Sequence, residues 1–92
     1  MAGRIKGYRF SHRFKKQYKN LPLEIREAFK EKLVLFLTNM QHPSLRVKKI
    51  QGVENRWEGS ITMKYRFTFE FDKDTVVFRC IGTYDILLHN SS

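Results

Sequence analysis

The chain has 92 residues, with 18 Lys and Arg against 9 Asp and Glu, so its formal net charge is +9 and its pI is about 10.0. This length predicts one small domain over residues 1–92, and the 41% of hydrophobic residues suffices for a single core. The charge favours a polyanionic partner, such as nucleic acid, an acidic protein segment or a membrane surface, and leaves open a domain that is merely basic.

The single cysteine, Cys80, excludes a disulfide within the chain and a metal cluster built on cysteines. Because it lies in an apolar strand, we expect a buried and unreactive thiol. The longest apolar run, residues 33–37, is far shorter than the ~20 residues that span a bilayer. The N-terminus shows no signal peptide, and no His, Asp and Glu cluster has ligand spacing. We therefore expect a cytoplasmic protein with no membrane partner, no metal and no cofactor.

The first half of the chain predicts a short strand followed by two helices. Gly7–Phe10 can form the strand, and Ser11 can cap a helix that ends near Asn20. Pro22 opens a second helix that ends near Met40. Each helix carries one apolar stripe at the 3.6-residue period. We expect both stripes to pack against the same face of a sheet.

The second half predicts an antiparallel sheet. A loop at 41–44 and a basic connector at 46–52 lead to strands at 56–63, 65–71 and 75–81. In the middle strand four aromatic residues alternate with polar ones, which indicates one buried and one polar face. Alternation in the last strand places Val76, Phe78 and Cys80 on one face. The predicted fold class is therefore α+β: a short N-terminal strand, a helical hairpin, then a three-stranded antiparallel meander packed on the helices.

The polar face of this sheet is the candidate site. Its predicted members are Glu58, Ser60, Arg66, Thr68 and Arg79, with Arg46, Lys48 and Lys49 at its edge and Tyr84 at the end of the last strand. Such a surface suits RNA cleavage by attack of a 2′-hydroxyl on the adjacent phosphate, which needs a base, an acid and cations. Arginine binds phosphate bidentately and stays charged. The residues alone also permit solvated or salt-bridged side chains at these positions.

Several short motifs, in a fixed order, resemble the RelE/ParE superfamily of toxins from bacterial toxin–antitoxin modules. They are Tyr8 to Phe14 with Leu21-Pro22, residues 45–52 (LRVKKIQG), Trp57-Glu58, residues 65–67 (YRF) and residues 78–85 (FRCIGTYD). The resemblance covers nearly the whole chain. Its most specific part is the aromatic–arginine pair that opens the third strand, with a Gly-Thr pair at the end of the next strand.

The resemblance implies a ribonuclease that acts on messenger RNA, often in the ribosomal A site. It implies catalytic roles for Arg66, Tyr84, Lys49 and Glu58, and RNA contacts for Arg46, Lys48 and Arg79. It also implies a cognate antitoxin with an acidic or amphipathic helical segment, with DNA reached only through the antitoxin complex.

Tyr84 departs from the family pattern, because many RelE-like members have histidine in a Gly-Thr-His-Asp sequence there. Tyrosine has an unperturbed pKa of ~10 and transfers protons poorly near neutrality. Three functions therefore remain open: an active RelE-like ribonuclease, a ParE-like toxin without nuclease activity, and a weakened or non-toxic RNA-binding homologue.

Overall fold

The computed structural model describes residues 5–85, which form a two-layer α+β structure. In chain order its elements are β1 (Gly7–Phe10), α1 (His12–Lys19), α2 (Leu23–Thr38), a 3₁₀ turn (Pro43–Leu45), β2 (Lys48–Lys49), β3 (Trp57–Ser60), β4 (Tyr65–Asp72) and β5 (Thr75–Thr83). Within residues 5–85, neither helix has the length and apolar character needed to cross a membrane.

Ser11 begins α1 and also attaches it to the sheet. Its Oγ accepts a hydrogen bond from the Phe14 backbone N–H at 3.0 Å, as an N-cap does. The same hydroxyl donates to the Arg79 carbonyl at 2.8 Å, and the Ser11 N–H donates to the Phe78 carbonyl at 2.9 Å. The predicted cap is confirmed, and its second role fixes α1 against β5.

The sheet has the strand order β1-β5-β4-β3-β2. The pairs β2–β3, β3–β4 and β4–β5 are antiparallel, as the predicted meander requires, and β1 pairs with β5 in parallel. The predicted α+β fold is confirmed. The basic connector contributes one element that was not predicted, the edge strand β2, in which Lys48 pairs with Glu58 and Lys49 with Trp57.

The core lies between the helices and one face of the sheet. Phe29 and Phe36 of α2 contact Phe67 edge-on, and Phe36 also contacts Phe69 at 5.0 Å between ring centres. Both strand residues are at most 1% exposed, which agrees with the buried aromatic face predicted for this strand. Trp57 packs at the margin of this core, with its ring 5.9 Å from that of Phe71.

A β-bulge in β5 changes which face its last residues occupy. Phe69 pairs with Phe78, but Thr68 pairs with Cys80, so Arg79 is the extra residue. Beyond the bulge Cys80 lies on the face of Thr68, and Ile81 pairs with Phe67 on the core face. Simple alternation, which placed Cys80 with Phe78, is therefore wrong from residue 80 onward. Cys80 is nevertheless buried, as expected.

Candidate functional site

The face of the sheet opposite the helices is polar, and the strand register arranges it in rows. Glu58 pairs with Thr68 and Thr68 with Cys80, while Lys48 extends this row at the edge. In the next row Ser60 pairs with Arg66, which pairs with Gly82. We call this surface the open face. The placement of Glu58, Ser60, Arg66 and Thr68 on one surface agrees with the alternation read from the sequence.

Arg66 is held by neighbours that leave its charge available. Its Nη1 donates to the Thr62 carbonyl at 2.6 Å, and its guanidinium carbon lies 5.5 Å from the centre of the Tyr84 ring. Arg66 forms no ion pair with any residue between 5 and 85. Since a guanidinium has five N–H donors, the fixed Arg66 side chain retains donors and a full positive charge for an anion.

Tyr84 follows β5 and closes the end of the open face. Its backbone N–H donates to the Lys64 carbonyl in the β3–β4 turn at 3.0 Å, and the residue is 41% exposed. The Tyr84 ring against Arg66 has the geometry of a cation–π contact. The structure thus brings together the two candidate catalytic residues that are 18 positions apart in the sequence.

Glu58 is the carboxylate nearest to this pair in the strand register. It is diagonal to Arg66 across β3 and β4, a relationship in which side-chain origins are about 7–8 Å apart. Its Oε2 lies 3.6 Å from Lys48 Nζ, and its side chain is 13% exposed while that of Lys48 is 67% exposed. Lys48 and Glu58 therefore form a cross-strand ion pair beside Arg66.

Lys49 and Arg46 are not brought together with Arg66. Lys49 pairs with Trp57 on the other face of β2, and its ammonium lies 6.0 Å from the Trp57 ring centre. Arg46 is an exposed residue in the left-handed conformation, with φ 47°, where the 3₁₀ turn ends. The adjacent lysines therefore differ in position, although the sequence treats them as a pair.

Arg79 belongs to a network that the sequence analysis did not identify. Glu70 lies between two guanidinium groups, 3.3 Å from Arg56 and 3.6 Å from Arg79. The Arg56 side chain is only 11% exposed. Both arginines thus contact a carboxylate, whereas Arg66 contacts none within residues 5–85. The sequence does not give the pairing register of the strands, and it is this register that brings residues 56, 70 and 79 together.

Among residues 5–85 no three His, Cys, Asp or Glu side chains are grouped so that they could hold a metal ion.

Solved structures of toxins share this architecture. A chain of the RelB-RelE antitoxin–toxin complex from Methanococcus jannaschii superposes with a TM-score of 0.73 at 24% identity, over 90% of this chain and 98% of that one. YafQ from E. coli strain BL21(DE3) gives a TM-score of 0.73 at 14% identity, over 87% and 94% of the two chains. The isolated E. coli RelE toxin gives 0.65 at 20% identity, over 92% and 97%.

The chain has the RelE-like toxin fold. The resemblance read from its short motifs is therefore confirmed at the level of structure. No protein-family model matches the sequence, and no curated protein matches it either.

Within this RelE-like fold, the predicted site residues divide into three groups. Arg66, Tyr84, Glu58 and Lys48 lie together at one end of the open face. Arg79 lies on the open face in contact with Glu70. Lys49 and Arg46 lie away from both. The chemical roles assigned to all seven residues remain predictions.

Proposed function

We propose that this chain is the RelE-like toxin of a toxin–antitoxin module, an endoribonuclease that cleaves messenger RNA on the ribosome without a metal ion and so inhibits translation. The fold supports the toxin assignment. The observation that carries the ribonuclease assignment is Arg66. Three other cations of the open face, Lys48, Arg56 and Arg79, contact carboxylates, whereas Arg66 is fixed without one among the described residues.

The proposed reaction is an intramolecular transesterification. The ribose 2′-oxygen attacks the adjacent phosphorus and loses its proton to a base, and the bond to the 5′-oxygen of the next nucleotide breaks. That leaving oxygen takes up a proton, so the products are a 2′,3′-cyclic phosphate and a 5′-hydroxyl. The charge that develops on the phosphate oxygens requires a fixed cation, and Arg66 supplies it.

Glu58 and Arg66 are diagonal neighbours on the open face, so a phosphate bound by Arg66 would lie beside Glu58. In this arrangement Glu58 is the candidate base, and Lys48, beside its carboxylate, contacts the neighbouring phosphate. The Tyr84 hydroxyl is the candidate acid for the leaving oxygen, since its ring already contacts Arg66. Lys49 and Arg46, at the margin, contribute only to long-range attraction of RNA.

The proposed partners are messenger RNA, the ribosome and a cognate antitoxin in the cytoplasm, with DNA reached only through the antitoxin complex. The neighbouring structures include antitoxin–toxin complexes. The net charge of +9 favours an antitoxin with an acidic or amphipathic helical segment. The toxin domain is proposed to comprise residues 1–92.

A second candidate is a toxin or RNA-binding homologue without efficient cleavage. It is favoured by Tyr84, which stands where the family resemblance implies histidine. A ParE-like toxin that does not act on RNA would share the fold and would not need Arg66.

The decisive experiment is cleavage of messenger RNA by the wild-type protein and Arg66→Ala, on ribosomes in magnesium buffer and on free RNA with and without EDTA. The proposal expects wild-type cleavage with products ending in 2′,3′-cyclic phosphate, no effect of EDTA on the cleavage of free RNA, and no cleavage where the 2′-hydroxyl is methylated. Loss of free-RNA cleavage in EDTA would contradict the metal-free mechanism. Absence of cleavage under all conditions, with toxicity retained in cells, would establish the non-nuclease candidate.

A further inference from the structure

Helix α1 carries positive charge that nothing in the described chain neutralises. It has four exposed cations, Arg13, Lys15, Lys16 and Lys19, and no acidic residue. None of the four forms an ion pair with any residue between 5 and 85. The sheet differs, because Glu58 and Glu70 pair with three of its cations. Helix α1 is therefore a positively charged segment with no acidic residue of its own to offset its four cations.

The four cations border two different surfaces on either side of Phe14, which is buried, and Tyr18, which is partly buried, although Lys16 and Lys19 are neighbours on the solvent side of the helix. Lys15 and Lys19, together with Lys30 of α2, border an apolar groove floored by Phe10, Phe14, Tyr18, Phe29 and Leu33. Arg13 and Lys16 line a separate concave surface with His12, Gln17 and Asn20. We call His12, Arg13, Lys16 and Asn20 the basic edge. Each of its four side chains is polar or charged and exposed.

Gln17 fixes the basic edge next to the candidate site. Its side-chain Oε1 accepts a hydrogen bond from the Ile81 backbone N–H at 3.0 Å, at the stretch of β5 that β1 does not cover. The next residue, Gly82, pairs with Arg66 on β4. Only β5 therefore separates the basic edge from Arg66, and neighbouring strands are about 4.8 Å apart.

We propose that the basic edge is a second phosphate-binding surface, which holds the RNA strand on the far side of β5 from the scissile phosphate. The inference rests on the proposed function, because it extends the path of the same RNA. Arg13 and Lys16 bind phosphates beyond the cleavage point, and Asn20 donates to phosphate or sugar oxygens. These contacts position the strand without reading its sequence.

The chemistry of the basic edge favours a nucleic acid over a protein segment. Protein interfaces are organised around buried apolar or aromatic anchors, and the basic edge has none. Apolar surface is found on the other flank, in the groove between Lys15, Lys19 and Lys30. The two flanks of α1 thus offer surfaces of different chemistry.

The test compares two charge-matched double variants of α1. Arg13→Gln/Lys16→Gln removes two charges from the basic edge, and Lys15→Gln/Lys19→Gln removes two from the groove flank of the same helix. All four positions are exposed and glutamine is a good helix former, so both proteins should fold. Binding of a fluorescent single-stranded RNA of about 20 nucleotides, methylated at every 2′-oxygen to prevent cleavage, is measured by anisotropy between 50 and 200 mM salt.

For the basic-edge variant we expect weaker binding and a shallower salt dependence. Two lost phosphate contacts reduce the slope of log K against log salt by about 1.4, so the wild type should lose about sevenfold more affinity across this range than the variant. The groove-flank variant should keep the wild-type slope.

Equal effects of the two double variants on RNA affinity and salt slope would overturn the proposal. Such a result would mean that RNA responds to the total charge of α1 and not to contacts at the basic edge. An unchanged slope in the basic-edge variant would overturn the proposal as well. If Arg66→Ala abolishes cleavage while the basic-edge variant matches its control, the inference fails and the proposed function stands. If only the basic-edge variant has altered RNA binding and no variant or wild-type protein cleaves RNA, the basic edge is confirmed as an RNA-binding surface and the ribonuclease proposal fails. A wild type that binds no free RNA would overturn the inference, while cleavage on ribosomes would still decide the proposed function.

Discussion

The Arg66 guanidinium lies 5.5 Å from the centre of the Tyr84 ring, and its Nη1 is hydrogen-bonded to the Thr62 carbonyl. The ring and the carbonyl restrict the side chain from two directions. A guanidinium held in this way loses less conformational entropy when it binds an anion. The contact between these two residues is therefore the structural basis of the proposed site.

Two substitutions of Arg66 should show whether cleavage needs only its positive charge or also the planar shape of its guanidinium group. Arg66→Ala should lower the single-turnover cleavage rate by ~10²–10³, the usual effect of losing one charge-stabilising contact. Arg66→Lys keeps the charge but not the planar fork, so its rate should fall between those of the wild type and Arg66→Ala. Thermal unfolding should be nearly unchanged in both, because Arg66 is outside the core. A folded Arg66→Ala protein with the wild-type rate would refute the assignment of Arg66.

Replacement of Tyr84 should show whether the hydroxyl transfers a proton. Tyr84→His should raise the cleavage rate and toxicity, since imidazole titrates near neutral pH. Tyr84→Phe keeps the ring contact with Arg66 and removes only the hydroxyl, which makes it the matched control. Complete loss of activity in Tyr84→Phe would show that the hydroxyl is the acid. Tyrosine in place of histidine at this position would then not weaken the enzyme. Equal inactivity of wild type, Tyr84→His and Tyr84→Phe would favour the non-nuclease toxin.

The two adjacent lysines should behave differently because they face opposite sides of β2. Lys48→Gln should weaken RNA binding and reduce the salt slope by about 0.7, the effect of one lost contact to single-stranded RNA. Lys49→Gln should leave the slope unchanged and instead lower the free energy of unfolding by about 0.5–1 kcal/mol, through loss of the contact with Trp57. The opposite outcome, with Lys49 controlling RNA binding, would show that the open face is not the RNA surface.

The cross-strand pair of Gly59 and Phe67 should be intolerant of any added side chain. A Cβ at Gly59 would overlap the Cζ of Phe67 and lie 2.9 Å from its Cε1. Gly59→Ala should therefore destabilise the protein, and Phe67→Ala should cost ~3–5 kcal/mol through the cavity it creates. In chemical denaturation, Gly59→Ala/Phe67→Ala should be more stable than the sum of the two single changes predicts. Strict additivity would mean that the two residues do not share this space.

Glu70 should be more important for stability than the similarly charged Asp72. Glu70→Gln removes the carboxylate shared by Arg56 and Arg79, and Arg56 is mostly buried, so we expect a loss of about 1–3 kcal/mol. Asp72→Asn breaks only the exposed pair with Arg9, which is worth at most ~1 kcal/mol. The comparison uses the free energy of unfolding in urea at low and at high salt. Equal losses would show that the Arg56–Glu70–Arg79 network is no stronger than a surface pair.

Part of the candidate site followed from the sequence because strand alternation is local. Once Tyr65, Phe67 and Phe69 are placed on the core, Arg66 and Thr68 must lie on the other face. The same reasoning placed Glu58 and Ser60 correctly. It failed from residue 80 onward, because the bulge at Arg79 inserts one residue and reverses the alternation beyond it. It also could not separate Lys48 from Lys49, since nothing local indicates that these two residues form an edge strand.

The sequence by itself determined the fold class and the elements other than the 3₁₀ turn and the edge strand β2. These elements follow from residues that are close together in the sequence. They include the Ser11 cap, the helical periods and the aromatic alternation in β4, and the structure confirms them. Only the tertiary structure decided which charges are neutralised: Glu70 joins Arg56 to Arg79, and Lys48 meets Glu58, through a register that links distant parts of the chain. Arg66 stands out only after those pairs are known. The face of a helix or strand that a side chain occupies depends on its neighbours in sequence, whereas its electrostatic partner depends on how the strands align in space.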